Sequence, residues 1–347
     1  MGLSTIACGR AKFVDKPVDT PAGRMDDPSP HRPRNNDGDR CPRGAQGKPG
    51  HEPRGQRETV GVMPAGASRS PAGKRRRRGG AGHASWRAPG LHDRAPLPAD
   101  PSRCPPLPPD AQAALADGLA AMGLGDLPSP AVTALADHLR LLLAWTGAVN
   151  LTAIRDPRAA VAAHVLDALA ALPLLRQNGV RALLDLGSGG GYPGLPLAIA
   201  LPAERALLVD SIGKKARFLA TAVTGLGLAD RVEVAAERAE TLAADPRHRG
   251  RWPAVTARAV AALPELVELA FPLLAPGGLL VAWKGSEIGG ERLRAMPALA
   301  ALGGGTLDIL QVAPPVPAGH VLVVCRKTGR TPAGWPRPSV ERARHPW

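Results

Sequence analysis

Ala182-Leu-Leu-Asp185-Leu186-Gly187-Ser-Gly189-Gly-Gly191-Tyr192-Pro193-Gly194 is the stretch on which the reading of the chain turns. Its first five residues are apolar apart from Asp185 and have the length of a buried parallel strand, and a helix is expected over 195–201. A strand, a glycine-rich turn and a helix make the first unit of a doubly wound α/β sheet. Glycines are needed where the backbone turns sharply and lies against a ligand with no Cβ between, which makes Gly187, Gly189 and Gly191 candidate cofactor contacts. Arg205-Ala-Leu-Leu-Val-Asp210 then reads as a second strand. It ends in a carboxylate placed to accept hydrogen bonds from the ribose hydroxyls of a nucleoside cofactor.

Two cofactor classes fit such a unit. Gly189, Gly191 and Gly194 satisfy the dinucleotide pattern GxGxxG, but a single match is weak. Asp185 with Gly187, Gly189 and Gly191 gives instead D-x-G-x-G-x-G, a pattern typical of enzymes that use S-adenosylmethionine. Pro193 stands where a helix N-terminus would offer N–H groups to a pyrophosphate, and proline has none to offer. S-adenosylmethionine carries no phosphate, so the balance favours it over NAD and an oxidoreductase.

Outward from this unit the alternation continues. A helix over 214–226 opens with Lys214, Lys215 and Arg217. A strand over 231–235 leads through Glu237-Arg238-Ala239-Glu240 into a polar loop, 245–251. A strand over 254–257 ends at Arg258, a helix covers 264–274, and a strand over 279–283 ends at Lys284-Gly285. A helix near 291–302 and strands over 306–313 and 320–326 close the sheet as an antiparallel hairpin, seven strands in all. Three helices precede the sheet. One runs over 109–122; one starts at Ser129 as N-cap with Pro130 first in the helix; one, capped by Asp156 before Pro157, reaches about 175. Their apolar stripes read as core. The polar stretch 145–156 reads as a connector, and His164 as a buried or hydrogen-bonded helix histidine.

Charge is spread unevenly. Residues 1–105 hold 20 Lys/Arg against 10 Asp/Glu and the rest 24 against 20, so most of the formal +14 lies in the first third. That third is dense in Pro, Gly and Arg and cannot bury enough apolar surface to offset the entropy of ordering it. The expected organisation is a disordered basic extension (1–106), a helical lead-in (107–178), a Rossmann-like core (179–328) and a disordered tail (329–347). Lys74-Arg75-Arg76-Arg77-Arg78 reads as an arm for RNA phosphates or, more plainly, as a solvated charge run. The extension also reads as the product of a start codon set too early, which its detection by intact mass would rule out. Cys8, Cys41, Cys104 and Cys325 form no CxxC pair, which argues against a zinc site or a disulfide framework. With no long apolar run and no secretory signal, a monomeric cytoplasmic protein with no metal and no membrane partner is expected.

Several segments, taken together, resemble a known family. They are Asn150-Leu-Thr-Ala-Ile-Arg-Asp-Pro157, His164-Val-Leu-Asp167, Leu184 to Pro196 across the glycine turn, Asp210-Ser-Ile-Gly-Lys-Lys-Ala-Arg-Phe-Leu219, Arg258-Ala and Trp283-Lys-Gly285. In order and spacing they are similar to the bacterial methyltransferases, once called glucose-inhibited division protein B, that modify N7 of a guanosine in small-subunit ribosomal RNA. The resemblance covers about 110–327 and departs at Thr146-Gly147 and Ala168. It implies the class I S-adenosylmethionine-dependent methyltransferase fold, with 16S ribosomal RNA in the 30S subunit as partner. It also implies that Gly187 and Tyr192 contact the cofactor, that Ala239 and Glu240 hold its adenine end, and that Arg258 lies at the site.

N7 of guanine has a free lone pair and needs no deprotonation, so catalysis there is mainly positioning. What the sequence lacks agrees with this. Arg258-Ala-Val stands where amino-methylating enzymes carry Asn/Asp-Pro-Pro-aromatic, and no cysteine is near for a covalent route. Arg258 is therefore the expected catalytic residue, orienting cofactor or guanine. Arg258, Lys214 and Lys284 come at or near carboxyl ends of strands, where ligands bind in such sheets, and Lys214, Arg217, Arg238 and Lys284 are expected on RNA phosphates. A methyltransferase acting on another RNA or on a small molecule is the alternative, since a fold does not fix a substrate.

Overall fold

Strands covered by helices on both sides must be apolar on both faces, and β1 (Ala182–Leu186) and β2 (Arg205–Val209) each bury their last four residues. The computed structural model describes residues 96–201 and 203–347, all within the unit Ala84–Trp347. The Lys74–Arg78 run and the extension as far as residue 95 lie outside the described residues.

The lead-in comprises α1 (Pro109–Ala121), α2 (Ser129–Val149), α3 (Pro157–Ala160), a π-helical turn (Val161–Leu166), α4 (Asp167–Leu169) and α5 (Leu172–Gln177). After β1 come α6 (Gly194–Ala200), β2, α7 (Gly213–Gly225), β3 (Val232–Ala235) and α8 (Ala239–Ala244). Then follow β4 (Trp252–Arg258), α9 (Leu263–Ala270), β5 (Leu274–Gly285), α10 (Gly289–Ala301), β6 (Gly305–Gln311), β7 (His320–Lys327) and α11 (Ser339–Arg344). The seven strands lie in the order β3-β2-β1-β4-β5-β7-β6. The first five are parallel, and β7 runs antiparallel to both β5 and β6, which is the expected closing hairpin. Because β1 sends the chain to β2 on one side and has β4 on the other, the crevice outside their carboxyl ends is the topological switch point where such sheets bind ligands.

One face of the sheet packs on the lead-in, α6 and α7 through Leu135, Leu139, Leu142, Val165, Leu169 and Phe218. The other packs on α8, α9 and α10 through Leu242, Leu266, Val267, Phe271 and Leu299. The helical stretch Pro157–Gln177 is long and apolar enough to cross a membrane, but its Val161, Val165, Leu166, Leu169 and Leu172 are buried in the first of these cores.

Four expectations need correction. The ordered chain begins before residue 107: Pro101–Arg103 forms a 3-10 turn, Cys104 is buried, Trp145 donates to the Pro98 carbonyl at 2.7 Å and Arg140 to that of Pro105 at 2.9 Å. A proline-rich segment has few N–H groups to satisfy, so two side chains of α2 suffice to fix it. α2 is capped by Pro128, with Ser129 already helical, and it runs on to Val149 through the supposed connector. Asn150 ends it in the left-handed conformation that asparagine tolerates. The third helix runs as expected from Pro157 to Gln177, with a π turn at Val161–Leu166 inside it. Residues 239–244, to which the sequence assigned no element, are helical. The tail 329–347 carries α11 and is fastened by buried ion pairs described below.

A candidate cofactor pocket and its flanking ion pairs

The glycine turn is locked from beneath by three side chains. Ser188 Oγ donates to the Asp185 carbonyl (3.0 Å) and accepts from Val209 N–H (3.2 Å), tying the turn to β2. Asp210 accepts from Gly189 N–H through Oδ2 (2.9 Å) and from Ile212 N–H through Oδ1 (2.8 Å). Thr256 Oγ donates to Asp185 Oδ1 at 2.6 Å, joining β1 to β4. Burial pushes the Asp185 carboxyl up to about 6, against the hydrogen bonds of Thr256 and Ser188. Gly194 lets α6 lie on this carboxyl: a Cβ there would fall 2.5 Å from Asp185 Cβ.

Gly187, at φ 67°, meets Val260 across the crevice, and a Cβ on it would lie 2.7 Å from Val260 Cγ2. Val260 reaches that point because Ala259 holds φ 57°, a left-handed conformation that costs an alanine about 1 kcal/mol. Strain of this kind persists where surrounding structure over-determines it, commonly at functional sites. Between these residues and α8 lies a cavity of about 310 Å³, lined by Gly187, Ser211, Glu237, Arg238, Ala239, Glu240, Val260, Glu265 and Arg342 among others. Arg342 donates to Glu240 (2.6 Å) and Glu265 (3.1 Å). Burial opposes ionisation of Glu240, but the Arg342 hydrogen bond and charge prevail and hold its carboxyl below the ordinary value. A larger cavity, about 470 Å³, is lined by Arg249, Arg251, Lys327 and Arg330 near the starts of β4 and β5. It faces the amino ends of the parallel strands, the wrong edge for a ligand in this architecture.

Beside the first cavity, Arg258 donates to the fully buried Asp167 carboxylate (2.7 Å) and to the Ala163 carbonyl (3.0 Å). His320 Nδ1–H donates to the other Asp167 oxygen at 2.8 Å, and Trp283 Nε1–H to its carbonyl at 2.8 Å. The π turn delivers His164 and Asp167 to this edge, in keeping with the frequency of such turns at functional sites. The Arg258 guanidinium lies 5.5 Å from the centre of the Tyr192 ring, which is stacked between His138 (4.4 Å) and His164 (5.1 Å). Burial lowers His138 to about 4, and burial with the Arg258 charge lowers His164 to about 4. His138 Nε2–H donates to the Gly190 carbonyl (2.8 Å), so α2 props the glycine turn; His164 is hydrogen-bonded to Thr152 (2.8 Å).

Of the residues singled out from sequence, Gly187, Ala239, Glu240 and Arg238 come together in the cavity lining. Gly189, Gly191, Tyr192 and Asp210 do not line it. Asp210 is buried, with its oxygens turned to the turn's own N–H groups, and Tyr192 is enclosed by two imidazoles, its hydroxyl without a partner among the described residues. Their contacts in this structure build the turn. Arg258 stands beside the cavity, 19% exposed. Lys214, Arg217 and Arg238 are exposed. Lys284, also expected on RNA phosphates, has its ammonium donating to the Ala261 carbonyl (2.8 Å) and to Glu291 (2.7 Å), and its side chain is 13% exposed. Glu291 also accepts from Leu263 N–H (2.6 Å), so the pair clamps the loop after β4. His138, Asp167, His320 and Arg342 went unassigned from sequence. A histidine among the leucines of α2, one turn from Leu135 and Leu142, was the only local signal.

The family model described as GidB, rRNA small subunit methyltransferase G, matches residues 131–311. Among curated relatives, the ribosomal RNA small subunit methyltransferase G of Roseiflexus sp. (strain RS-1) is 45% identical over 205 residues, 59% of this chain and 87% of that protein. The protein of the same name from Sorangium cellulosum (strain So ce56) is 41% identical over 245 residues, 70% of this chain and 98% of that one. That from Stenotrophomonas maltophilia (strain K279a) is 47% identical over 180 residues, covering 52% and 80%. With a family match over more than half its length and relatives of this identity covered almost end to end, the chain belongs to the rRNA small subunit methyltransferase G family.

Proposed function

We propose that this protein transfers a methyl group from S-adenosylmethionine to N7 of a guanosine in 16S ribosomal RNA of the small ribosomal subunit, acting in the cytoplasm. The observation that carries the reading is the cavity at the β1/β4 switch point, walled by the turn of a D-x-G-x-G-x-G motif in a member of this family. The residues present fit the cofactor. The approach to Gly187 is too close for any Cβ, and α6 begins after Pro193, which has no N–H for a phosphate.

Gly187, Ala239 and Glu240 would hold the nucleoside, and Gly189, Gly191, Tyr192 and Asp210 would keep the turn in shape for it. When bound, S-adenosylmethionine supplies a methyl group on a positively charged sulfur, which N7 takes without first losing a proton. The chain's part is then to align and to exclude water. Arg258, fixed by Asp167 and the Ala163 carbonyl, orients the reacting edge with its other N–H groups. Lys214, Arg217 and Arg238, exposed near the carboxyl ends of β2 and β3, would engage RNA phosphates.

The test is incubation of purified protein with methyl-labelled S-adenosylmethionine and 30S particles lacking N7-methylguanosine, followed by nucleoside mass spectrometry. Label in N7-methylguanosine is expected. Binding of the cofactor without transfer would move the substrate elsewhere.

A further inference from the structure

Residues 331–347 follow the last strand and lie beyond the match to the family model, which ends at 311. They are held tightly. Arg337 meets the buried Glu268 through its backbone N–H (2.8 Å), Nε (3.0 Å) and a terminal nitrogen (2.6 Å), and Trp347 Nε1–H donates to the same carboxylate at 2.7 Å. The Arg337 guanidinium lies about 5 Å from both the Trp335 and Trp347 rings, and Arg249 donates to the Pro332 and Trp335 carbonyls. So anchored, α11 places Arg342 in the cavity lining with its side chain 8% exposed. All three guanidinium nitrogens are engaged, on Glu265, on Glu240 and on the Arg337 carbonyl.

We propose that this C-terminal segment is a working wall of the cofactor cavity and that Arg342 is a positioning residue that sets affinity for the adenosine end. The inference rests on the reading of the cavity as the S-adenosylmethionine site. An adenine edge presents ring-nitrogen lone pairs, which two unpaired carboxylates in a partly buried cavity would repel. Arg342 neutralises Glu240 and Glu265 together and fixes α8 against α9, so that the backbone of Ala239 and Glu240 stays in place for the base. With each of its three nitrogens already held by Glu265, Glu240 or the Arg337 carbonyl, Arg342 acts through these carboxylates rather than as a removable plug.

The test is calorimetric titration of the full chain with S-adenosylhomocysteine. Arg342→Met, which keeps the aliphatic stem, is expected to raise Kd about tenfold, since it strands two carboxylates. Adding Glu265→Gln to that variant is expected to recover part of the loss, and Arg344→Ala, which removes an exposed charge from the same helix, to leave Kd unchanged. Thermal unfolding checks that the variants fold. If Arg342→Met does not, Arg342→Lys, which keeps the charge but not the three-way fork, is expected to weaken binding severalfold. Wild-type binding with Arg342 variants equal to it, or tighter, overturns the wall. A wild-type chain that binds no S-adenosylhomocysteine overturns the cofactor reading itself.

Discussion

On one side of the cavity stand the backbone at Gly187 and one valine methyl. On the other stand Glu240 and Glu265, held by an arginine 102 and 77 positions further along the chain. The first wall is local: a positive φ, a sharp turn and side chains that fasten N–H groups within a few residues or across one strand. The second is assembled from α8, α9 and α11, and its geometry exists only once all three have docked. Backbone-built walls force glycine, which marks the sequence. Charge-built walls use ordinary residues at distant positions, which do not.

The comparison breaks most sharply at Arg258, which lies between the two kinds of construction. Arg258→Ala is expected to abolish methyl transfer. It also leaves Asp167 a fully buried carboxylate with His320 as its remaining side-chain partner, so denaturant titration should show a loss of about 3 kcal/mol. Normal activity in this variant would remove Arg258 from the site.

Acidification probes the local wall. His138 and His164 fall from 6.5 to about 4 in the folded protein, so between those values the unfolded chain binds more protons. Their contribution is complete above 6.5 and is lost as pH falls towards 4. Asp185 works the other way: raised from 3.8 to about 6, it adds stability as pH falls through that interval. Two histidines against one carboxyl leave a net decline of about 1 kcal/mol per pH unit between 6 and 4. Urea unfolding across that range measures it, and a flat or rising profile would contradict the buried histidine stack.

The smallest effects separate clamps from RNA contacts. Lys284→Gln is expected to lower stability by about 1 kcal/mol and leave the salt dependence of RNA binding unchanged. Lys214→Ala or Arg217→Ala should leave stability alone and reduce the salt slope by about 1 each. The reverse pattern would restore Lys284 to the RNA surface.

What could be read in advance follows the same division. The strand-turn-helix at 182–200, the alternation of strands and helices and the closing hairpin carry period and punctuation, and all seven expected strands are present, although β5 already begins at Leu274, where the end of a helix was expected. Asp156 caps its helix as predicted, accepting from Ala159 N–H at 2.7 Å. Ser129 does not, because Pro128 takes the cap position. Asp210 is at its expected place, yet its oxygens serve the turn. The tail 329–347 looked featureless because Pro, Gly and Arg show no periodicity; Arg337 and Arg342 become structural only through Glu268, Glu240 and Glu265. Lys284 looked free for the same reason.

The most direct measurement is a crystal structure of the chain with S-adenosylhomocysteine bound. The nucleoside is predicted between Gly187 and Ala239-Glu240, in the cavity at the carboxyl ends of β1 and β4. Density instead in the larger cavity beside Arg249 and Lys327, at the opposite edge of the sheet, would contradict the account.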